Sequence, residues 1–251
     1  MQKIWVCGAR GQIGQAVNDV VDKLEFEMLD TDVDDLDVTD TDEVLRFGEM
    51  NRPDIIINCS GMTDISSCEE NPSQAFKVNA LGARNLAIVA AKMQAKMVQL
   101  STDDVFDGKS TEPYTEFDIT NPGTVYGKSK LAGENYVKEF TTKHFIVRST
   151  WVYGKGQNFI NGFLKKVDAG EQLSIASDQF GSPTSANELA RFLLHLVHTS
   201  EYGTYHATNK GVCSRYAFAQ EILKMTGKTA SMQPVPTVMS DFSKVRPAYA
   251  V

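Results

Sequence analysis

Cysteine and histidine are scarce in this chain of 251 residues, and it contains no long apolar run. The four cysteines, Cys7, Cys59, Cys68 and Cys213, show no Cys-x-x-Cys spacing, and Cys7 and Cys59 lie in apolar, strand-like stretches. Reduced, buried thiols are expected. The histidines offer no metal set. His195 and His198 stand three apart on an expected helix without a third ligand at suitable spacing, and His144 and His206 flank strands. Without an apolar run of 18 residues no transmembrane helix is expected. Positive charge is short as well. The balance of 25 Lys+Arg against 32 Asp+Glu leaves a net charge of -7, which argues against nucleic acid or a membrane surface as a partner. The start, Met1-Gln2-Lys3-Ile4-Trp5-Val6, lacks the basic and apolar regions of a signal peptide. A cytoplasmic protein is expected.

What is present is an ordinary globular composition, 42% hydrophobic and 23% charged, in a chain long enough to bury a core without staples. The first half alternates strand and helix. Strands are expected at 3–7, 26–29, 54–58, 96–100 and 145–149, and helices at 12–21, 41–51, 72–93 and 127–140. Ile55-Ile56-Ile57 is apolar throughout, as suits a central parallel strand covered on both faces. Beyond Trp151 the alternation loosens, with helices expected at 158–169, 187–198 and 214–226 and a strand at 204–207. The expected fold class is α/β, a doubly wound Rossmann-type parallel sheet with a smaller C-terminal lobe. Residues 1–150 would form the dinucleotide-binding domain, with about 185–206 returning to it, and 151–184 with 207–251 the substrate-binding lobe.

The first turn, Gly8-Ala9-Arg10-Gly11-Gln12-Ile13-Gly14, lies between a strand and a helix. Glycines there allow a tight turn and close backbone approach to a pyrophosphate, whose charge the helix N-terminus stabilises. Asp30 or Asp32 supplies the acid expected just past the second strand to accept hydrogen bonds from ribose hydroxyls. It stands in a run, 30–43, of eight acidic residues without Lys or Arg. That charge favours NADH over NADPH, and Arg10 is the one nearby cation able to reverse the preference. Asp37-Val38 is placed to touch the adenine.

Tyr126-Gly127-Lys128-Ser129-Lys130 puts Tyr126 and Lys130 on one helical face. This helix follows the strand that ends Ser101-Thr102, at the carboxyl edge where ligands meet an open parallel sheet. A phenol has a pKa of roughly 10, and a neighbouring ammonium lowers it toward neutral-pH proton transfer. The chemistry that fits is carbonyl reduction. Tyr126 protonates the nascent alkoxide, Lys130 lowers the phenol's pKa and holds the nicotinamide ribose, and Thr102 orients the carbonyl.

In this order the motifs resemble the extended short-chain dehydrogenase/reductases, and within them the dTDP-4-dehydrorhamnose reductase family. The segments that carry the resemblance include Arg52-Pro53-Asp54-Ile55-Ile56-Ile57-Asn58, Val78-Asn79-Ala80, Ser101-Thr102-Asp103-Asp104-Val105-Phe106-Asp107-Gly108, Arg148-Ser149-Thr150-Trp151-Val152-Tyr153-Gly154 and Asp178-Gln179-Phe180-Gly181-Ser182-Pro183-Thr184. The resemblance implies a catalytic Thr102, Tyr126 and Lys130. It implies NADPH or NADH contacts from Gly11, Gln12, Ile13, Asp32, Asp37, Val38, Gly61, Met62, Thr63, Tyr126 and Lys130, to which Gly8 and Arg10 of the glycine turn and Cys59 and Ser60 are added as expected cofactor contacts. It implies a nucleotide sugar, dTDP-4-dehydro-L-rhamnose, held by Thr102, Asp103, Asp104, Val105, Trp151 and Asn158. The working form would be a monomer or homodimer.

The chain departs from the family pattern at four places expected near substrate or nicotinamide. Asp104 replaces a usual Tyr, Met62 a usual His or Tyr, Ser66 a usual Asp and Thr124 a usual Asn. A carboxylate at 104 repels a diphosphate unless it is turned away. Some members are dimers bridged by a metal on glutamates, but Gln15-Ala16 offers no such glutamate. Relatives continue beyond Arg246-Pro247-Ala248-Tyr249-Ala250-Val251, so a C-terminus cut short is expected. Two other readings fit the same motifs. One is an epimerase with tightly held NAD or a related nucleotide-sugar reductase. The other is a non-catalytic subunit resembling the regulatory β subunit of methionine adenosyltransferase.

Overall fold

In a computed structural model, residues 1–238 are described in full and 239 and 249–250 as backbone. The C-terminal expectation at 246–248 and 251, and part of the expected lobe, lie outside the described residues.

The first half runs β1 (Gln2–Cys7), α1 (Gln12–Val20), β2 (Phe26–Thr31), α2 (Thr41–Asn51), β3 (Ile55–Asn58), α3 (Ile65–Glu70), α4 (Pro72–Phe76), α5 (Ala83–Met93), β4 (Lys96–Thr102), α6 (Val125–Phe140) and β5 (His144–Ser149). The central strands carry no polar alternation because both faces are covered. Ile4, Val6, Ile55 and Ile57 pack on one side with Val17 of α1, while Trp5, Cys7 and Ile56 pack on the other with Leu86 of α5 and Val137 of α6. Successive side chains of a strand point to opposite faces, so a fully apolar run feeds two cores at once. Asp40 caps α2 by accepting from the Glu43 amide, with Asp42 and Glu43 in the positive first turn.

The single helix expected over 72–93 is in fact three segments. Between α4 and α5, residues Lys77–Gly82 take a π-helical turn. The inserted residue swings Asn79 inward, where it is 2% exposed. Its side-chain oxygen accepts from the Met62 amide at 2.8 Å, and its nitrogen donates to the Met62 carbonyl and to Ser129 Oγ, both at 2.9 Å. The segment after β3 is thereby tied to helix α6.

The second half contains β6 (Val152–Tyr153), α7 (Phe159–Asp168), β7 (Leu173–Ala176), β8 (Phe180–Gly181), β9 (Thr184–Ser185), α8 (Ala186–Val197), β10 (Gly203–His206), β11 (Cys213–Ser214), α9 (Arg215–Thr226), β12 (Met232–Val235) and β13 (Tyr249–Ala250). Helix α8 packs on the β1 face, and β10 pairs in parallel with β5. The main sheet has the order β10-β5-β4-β3-β1-β2, parallel throughout. The chain reverses direction between β1 and β3, and that switch point opens a crevice at the strands' carboxyl ends. A second, smaller core gathers Phe163 of α7, Leu173 and Ile175 of β7, and Ala219 and Ile222 of α9. Ser214 Oγ caps α9 by accepting from the Ala217 amide, and Gly227 ends it at φ 65°.

Two glycines separate packing from propensity. A Cβ on Gly133 would stand 2.4 Å from the Asn79 carbonyl oxygen, whereas one on Gly162 would meet nothing within 4 Å. Gly133→Ala is expected to lower stability by about 1–3 kcal/mol, its helix-propensity gain being smaller than the overpacking cost. Gly162→Ala should raise stability by about 0.5–1 kcal/mol. Urea unfolding checks both as opposite shifts in midpoint at constant slope.

Candidate active site

The glycine turn shapes the crevice from the β1 side. Gly8 sits at φ 75°, and a Cβ there would lie 2.8 Å from the Ser60 amide nitrogen. The β1–α1 turn therefore packs backbone against backbone on the segment after β3. Amides of Gly8 and Ala9 donate to the Thr31 carbonyl, and the Arg10 amide to Asp32 Oδ2 at 2.9 Å. Beside this turn a cavity of about 390 Å³ is lined by Gly8, Gly11, Asp32, Asp37, Val38 and Met62. Thr31, Val33, Leu36, Gln74 and Val78 line it too, none of them expected from sequence. Through Gly11, Cys59, Ser60 and Gly61 it continues into a second cavity of about 380 Å³.

This second cavity collects Gln12, Ile13, Thr63, Thr102, Asp103, Asp104, Tyr126, Lys130, Trp151 and Asn158 around one space. Tyr126 and Lys130 project from α6, whose N-cap is Thr124, its Oγ1 accepting from the Gly127 amide at 3.0 Å. Lys130 is 5% exposed. Burial pulls its ammonium down to about 8, against the opposing pull of the Glu134 carboxylate. Thr102 ends β4, and its hydroxyl donates to Asp103 Oδ1 at 2.9 Å while accepting from the Asp104 amide at 3.2 Å. Asp103 Oδ2 accepts from Thr150 Oγ1 at 2.7 Å. Asn158 caps α7 and reaches across to Gln12 Oε1 at 3.1 Å, tying the cavity's far wall to the glycine turn. Cys59 lines both cavities, yet burial pushes its thiol up to about 12, so it stays protonated and is no nucleophile.

Three sequence expectations need correction. Val105 is fully buried and lines neither cavity, because the 3₁₀ turn Asp103–Val105 aims the two acids at the cavity and the valine at the core. Arg10 also lines neither. Its guanidinium is drawn away into the acidic run, bonded to Asp34 at 2.8 Å and Asp35 at 2.6 Å. Of the four departures, Asp104 and Met62 do line the crevice, whereas Thr124 is spent on its cap and Ser66 lies off the walls on α3.

Sequence reasoning missed the wall opposite Tyr126. Arg215, the first residue of α9, lays its guanidinium 3.5 Å from the Trp151 ring centroid and 4.9 Å from that of Phe159. Leu100, Ser101, Ser149, Val152, Tyr153 and Phe218 complete the lining among the described residues. One signal was available for Arg215, since a cation in the first turn of a helix opposes the dipole and needs another reason to be there. Trp151 holds a left-handed φ of 45°, an uncommon conformation for a bulky residue, and Gly181 packs against its indole.

The parallel sheet, the glycine turn at its switch point and a Tyr-x-x-x-Lys helix flanking the same crevice define a Rossmann-type protein of the extended short-chain dehydrogenase/reductase class. Residues 1–251 match the model of the RmlD substrate binding domain family, and the chain belongs to that family. The spore coat polysaccharide biosynthesis protein SpsK of Bacillus subtilis is 35% identical over 100% of this chain and 89% of its own length. A crystal structure of a dTDP-4-dehydrorhamnose reductase from Clostridium acetobutylicum superposes with TM-score 0.96 at 42% identity, covering 99% of this chain and 89% of that one. Another, from Bacillus anthracis in complex with NADP, gives TM-score 0.96 at 38% identity over 100% and 90%. No described helix is long and apolar enough to cross a membrane.

The depressed Lys130 has a consequence for stability. With a folded-state pKa of about 8 below the ordinary 10.5, burying the charge costs about 3 kcal/mol at neutral pH. That cost is complete below the folded value and fades as pH rises from it toward 10.5. Lys130→Met is therefore expected to be more stable than the parent by about 1–3 kcal/mol at pH about 7, with the gap closing toward pH about 10. Denaturant unfolding across that pH range checks it, and a gap that widens with pH would contradict the assignment.

Proposed function

We propose that the chain is an NAD(P)H-dependent reductase of the 4-keto group of a nucleotide sugar, with dTDP-4-dehydro-L-rhamnose the first substrate to test. The observation that carries this reading is the joint lining of one cavity by Thr102, Tyr126 and Lys130, continuous with the glycine-turn crevice. The names of the relatives support it. The residues present fit a dinucleotide, since the backbone at Gly8 comes too close to Ser60 for any Cβ and Asp32 lines the neighbouring cavity. When bound, the dihydronicotinamide supplies hydride to the keto carbon. Lys130 stabilises negative charge on the Tyr126 oxygen and holds the ribose, and Tyr126 delivers its proton to the substrate oxygen. Thr102 already donates to Asp103, so it orients the keto oxygen only by exchanging that bond. Arg215 takes the diphosphate, being with Lys130 the only cation among the described residues that line this cavity.

In this reading residues 1–150 with about 185–206 hold the cofactor, and 151–184 with 207–251 hold the sugar nucleotide. Every group invoked belongs to one chain, so a monomer or a homodimer suffices. The substrate and cofactor are cytoplasmic solutes, and that is the compartment assigned.

Turnover is followed as loss of dihydronicotinamide absorbance with dTDP-4-dehydro-L-rhamnose generated in situ. Tyr126→Phe is expected to lower kcat by about 10²–10⁴-fold with little change in KM. Arg215→Ala should raise the KM for the sugar nucleotide about tenfold or more while kcat changes little. Near-normal turnover by Tyr126→Phe would remove the proton donor. Tight cofactor binding without turnover by the parent would favour a non-catalytic subunit, and NAD retained through purification would favour an epimerase.

Cofactor choice tests a separate part. With Arg10 tied to Asp34 and Asp35 and Asp32 beside the ribose pocket, NADH is expected to be used better than NADPH. Asp34→Asn/Asp35→Asn releases Arg10 to meet a 2′-phosphate and should move the kcat/KM ratio toward NADPH by about tenfold.

A further inference from the structure

Beneath the cavity lies a buried ionic cluster that the proposed chemistry does not touch. Glu134 of α6 is 0% exposed and Arg148 of β5 is 4% exposed. Arg148 Nε donates to Glu134 Oε1 at 2.9 Å and Nη2 to Oε2 at 2.7 Å, a bidentate pair. Glu134 Oε1 also accepts from Ser101 Oγ at 2.5 Å. Ser101 lines the cavity and directly precedes Thr102. On the outer side Lys138 Nζ stands 3.7 Å from Oε2, and Arg148 Nη1 lies 3.5 Å from His206 Nε2, whose backbone amide donates to Glu116. Within α6, Glu134 is one turn from Lys130 and two from Tyr126, on the same face.

A buried ion pair is weak evidence of stabilisation, because its desolvation cost offsets most of the attraction. The arrangement accounts for itself better through what it holds in place. We propose that Glu134 is a positioning residue of the reduction site, which anchors the end of β4 through Ser101 and serves as the counter-charge to Lys130. The proposal rests on the reductase reading above. It needs no contact between Glu134 and any ligand.

The charges around Lys130 make the second role testable. The groups acting on it are Glu134 from its own helix, Cys59 after β3 and Cys68 on α3. Burial pushes the two thiols up to about 12 and about 11, so near neutral pH Glu134 is the one charged group among the three. Burial already draws Lys130 down to about 8, with Glu134 opposing it. Without the carboxylate the ammonium loses its proton at lower pH. Reduction that requires charged Lys130 then fails earlier as pH rises.

Three variants of the full chain test this, with turnover against pH, cofactor affinity by fluorescence, and the titration of Lys130 by NMR of ¹³C-labelled lysine side chains. In Glu134→Gln, Lys130 should titrate about one pH unit or more lower, and the alkaline limb of kcat should move with it. Cofactor affinity below that limb should stay within a few fold. Ser101→Ala removes only the anchor. It should lower kcat several fold with KM for cofactor and the alkaline limb unmoved. Should Glu134→Gln fail to fold, Glu134→Gln/Arg148→Met removes the buried pair as a unit and should still move the Lys130 titration down, by less than Glu134→Gln because the Arg148 cation leaves with the carboxylate. An unchanged Lys130 titration in the folded variant overturns the counter-charge role, and parental kcat in Ser101→Ala overturns the anchor. A parent that shows no turnover sinks the reductase reading instead, while the NMR titration still decides the counter-charge.

Discussion

The positions of Tyr126 and Lys130 relative to Thr102 depend on how closely α6 approaches the carboxyl end of β4, and that distance is set by backbone rather than by side chains. A Cβ on Gly127 would stand 2.0 Å from the Asp104 carbonyl oxygen. Further along α6 and on another side of it, Gly133 rests on the Asn79 carbonyl of the π-helical turn. Side chains can repack by rotamer changes, but two polypeptide backbones in contact have almost no room to adjust. The helix is consequently seated at a fixed depth, between the turn that follows Thr102 and the turn that presents Asn79. Tyr126 and Lys130 inherit their positions from that seating. Asn79 then bonds Met62 on one side and Ser129 on the other, so the lining of the glycine-turn crevice is tied directly to the helix.

The same region concentrates unfavourable free energy. Lys130 is buried with a carboxylate that already serves Arg148, Trp151 holds a left-handed backbone, and Asp103 and Asp104 crowd two acids into one cavity wall. None of these would be chosen for stability. They persist because the two cores on either face of the sheet, one around α1 and α8 and the other around α2, α5 and α6, are apolar and closely packed. Cost at the site set against surplus in the core is the usual signature of a functional region, where local preferences are overridden.

Much of the first half was legible because strands such as β1 and β3 are apolar runs and helices such as α2 and α6 carry side-chain caps, so period and boundary signals agreed there. Thr102, Tyr126 and Lys130 were legible for a related reason: a local i, i+4 spacing and a strand end are enough to bring them together. The π-helical turn was not, since Lys77–Gly82 reads as ordinary helix and only Asn79's distant partners decide the insertion. The two- to four-residue strands β6 to β9 were equally invisible, being too short for any period to register. Val105, expected from the resemblance alone, misled because the 3₁₀ turn after Thr102 buries it while Asp103 and Asp104 of the same turn line the cavity. Arg10 misled because charge counting gave its position in the chain but not its engagement with Asp34 and Asp35.

Charge segregation within the cavity limits how a nucleotide sugar can enter it. The acids Asp103 and Asp104 and the phenol come from the β4–α6 side, whereas Arg215 arrives from α9 across the space, held flat by Trp151 and Phe159. A diphosphate is repelled at one wall and neutralised at the other, so in the proposed reading it lies against Arg215. The sugar then extends toward Tyr126, with its uncharged hydroxyls beside the carboxylates. In the proposed reading the keto group points toward the phenol because Arg215 and Asp103 line the same cavity from different elements of the fold.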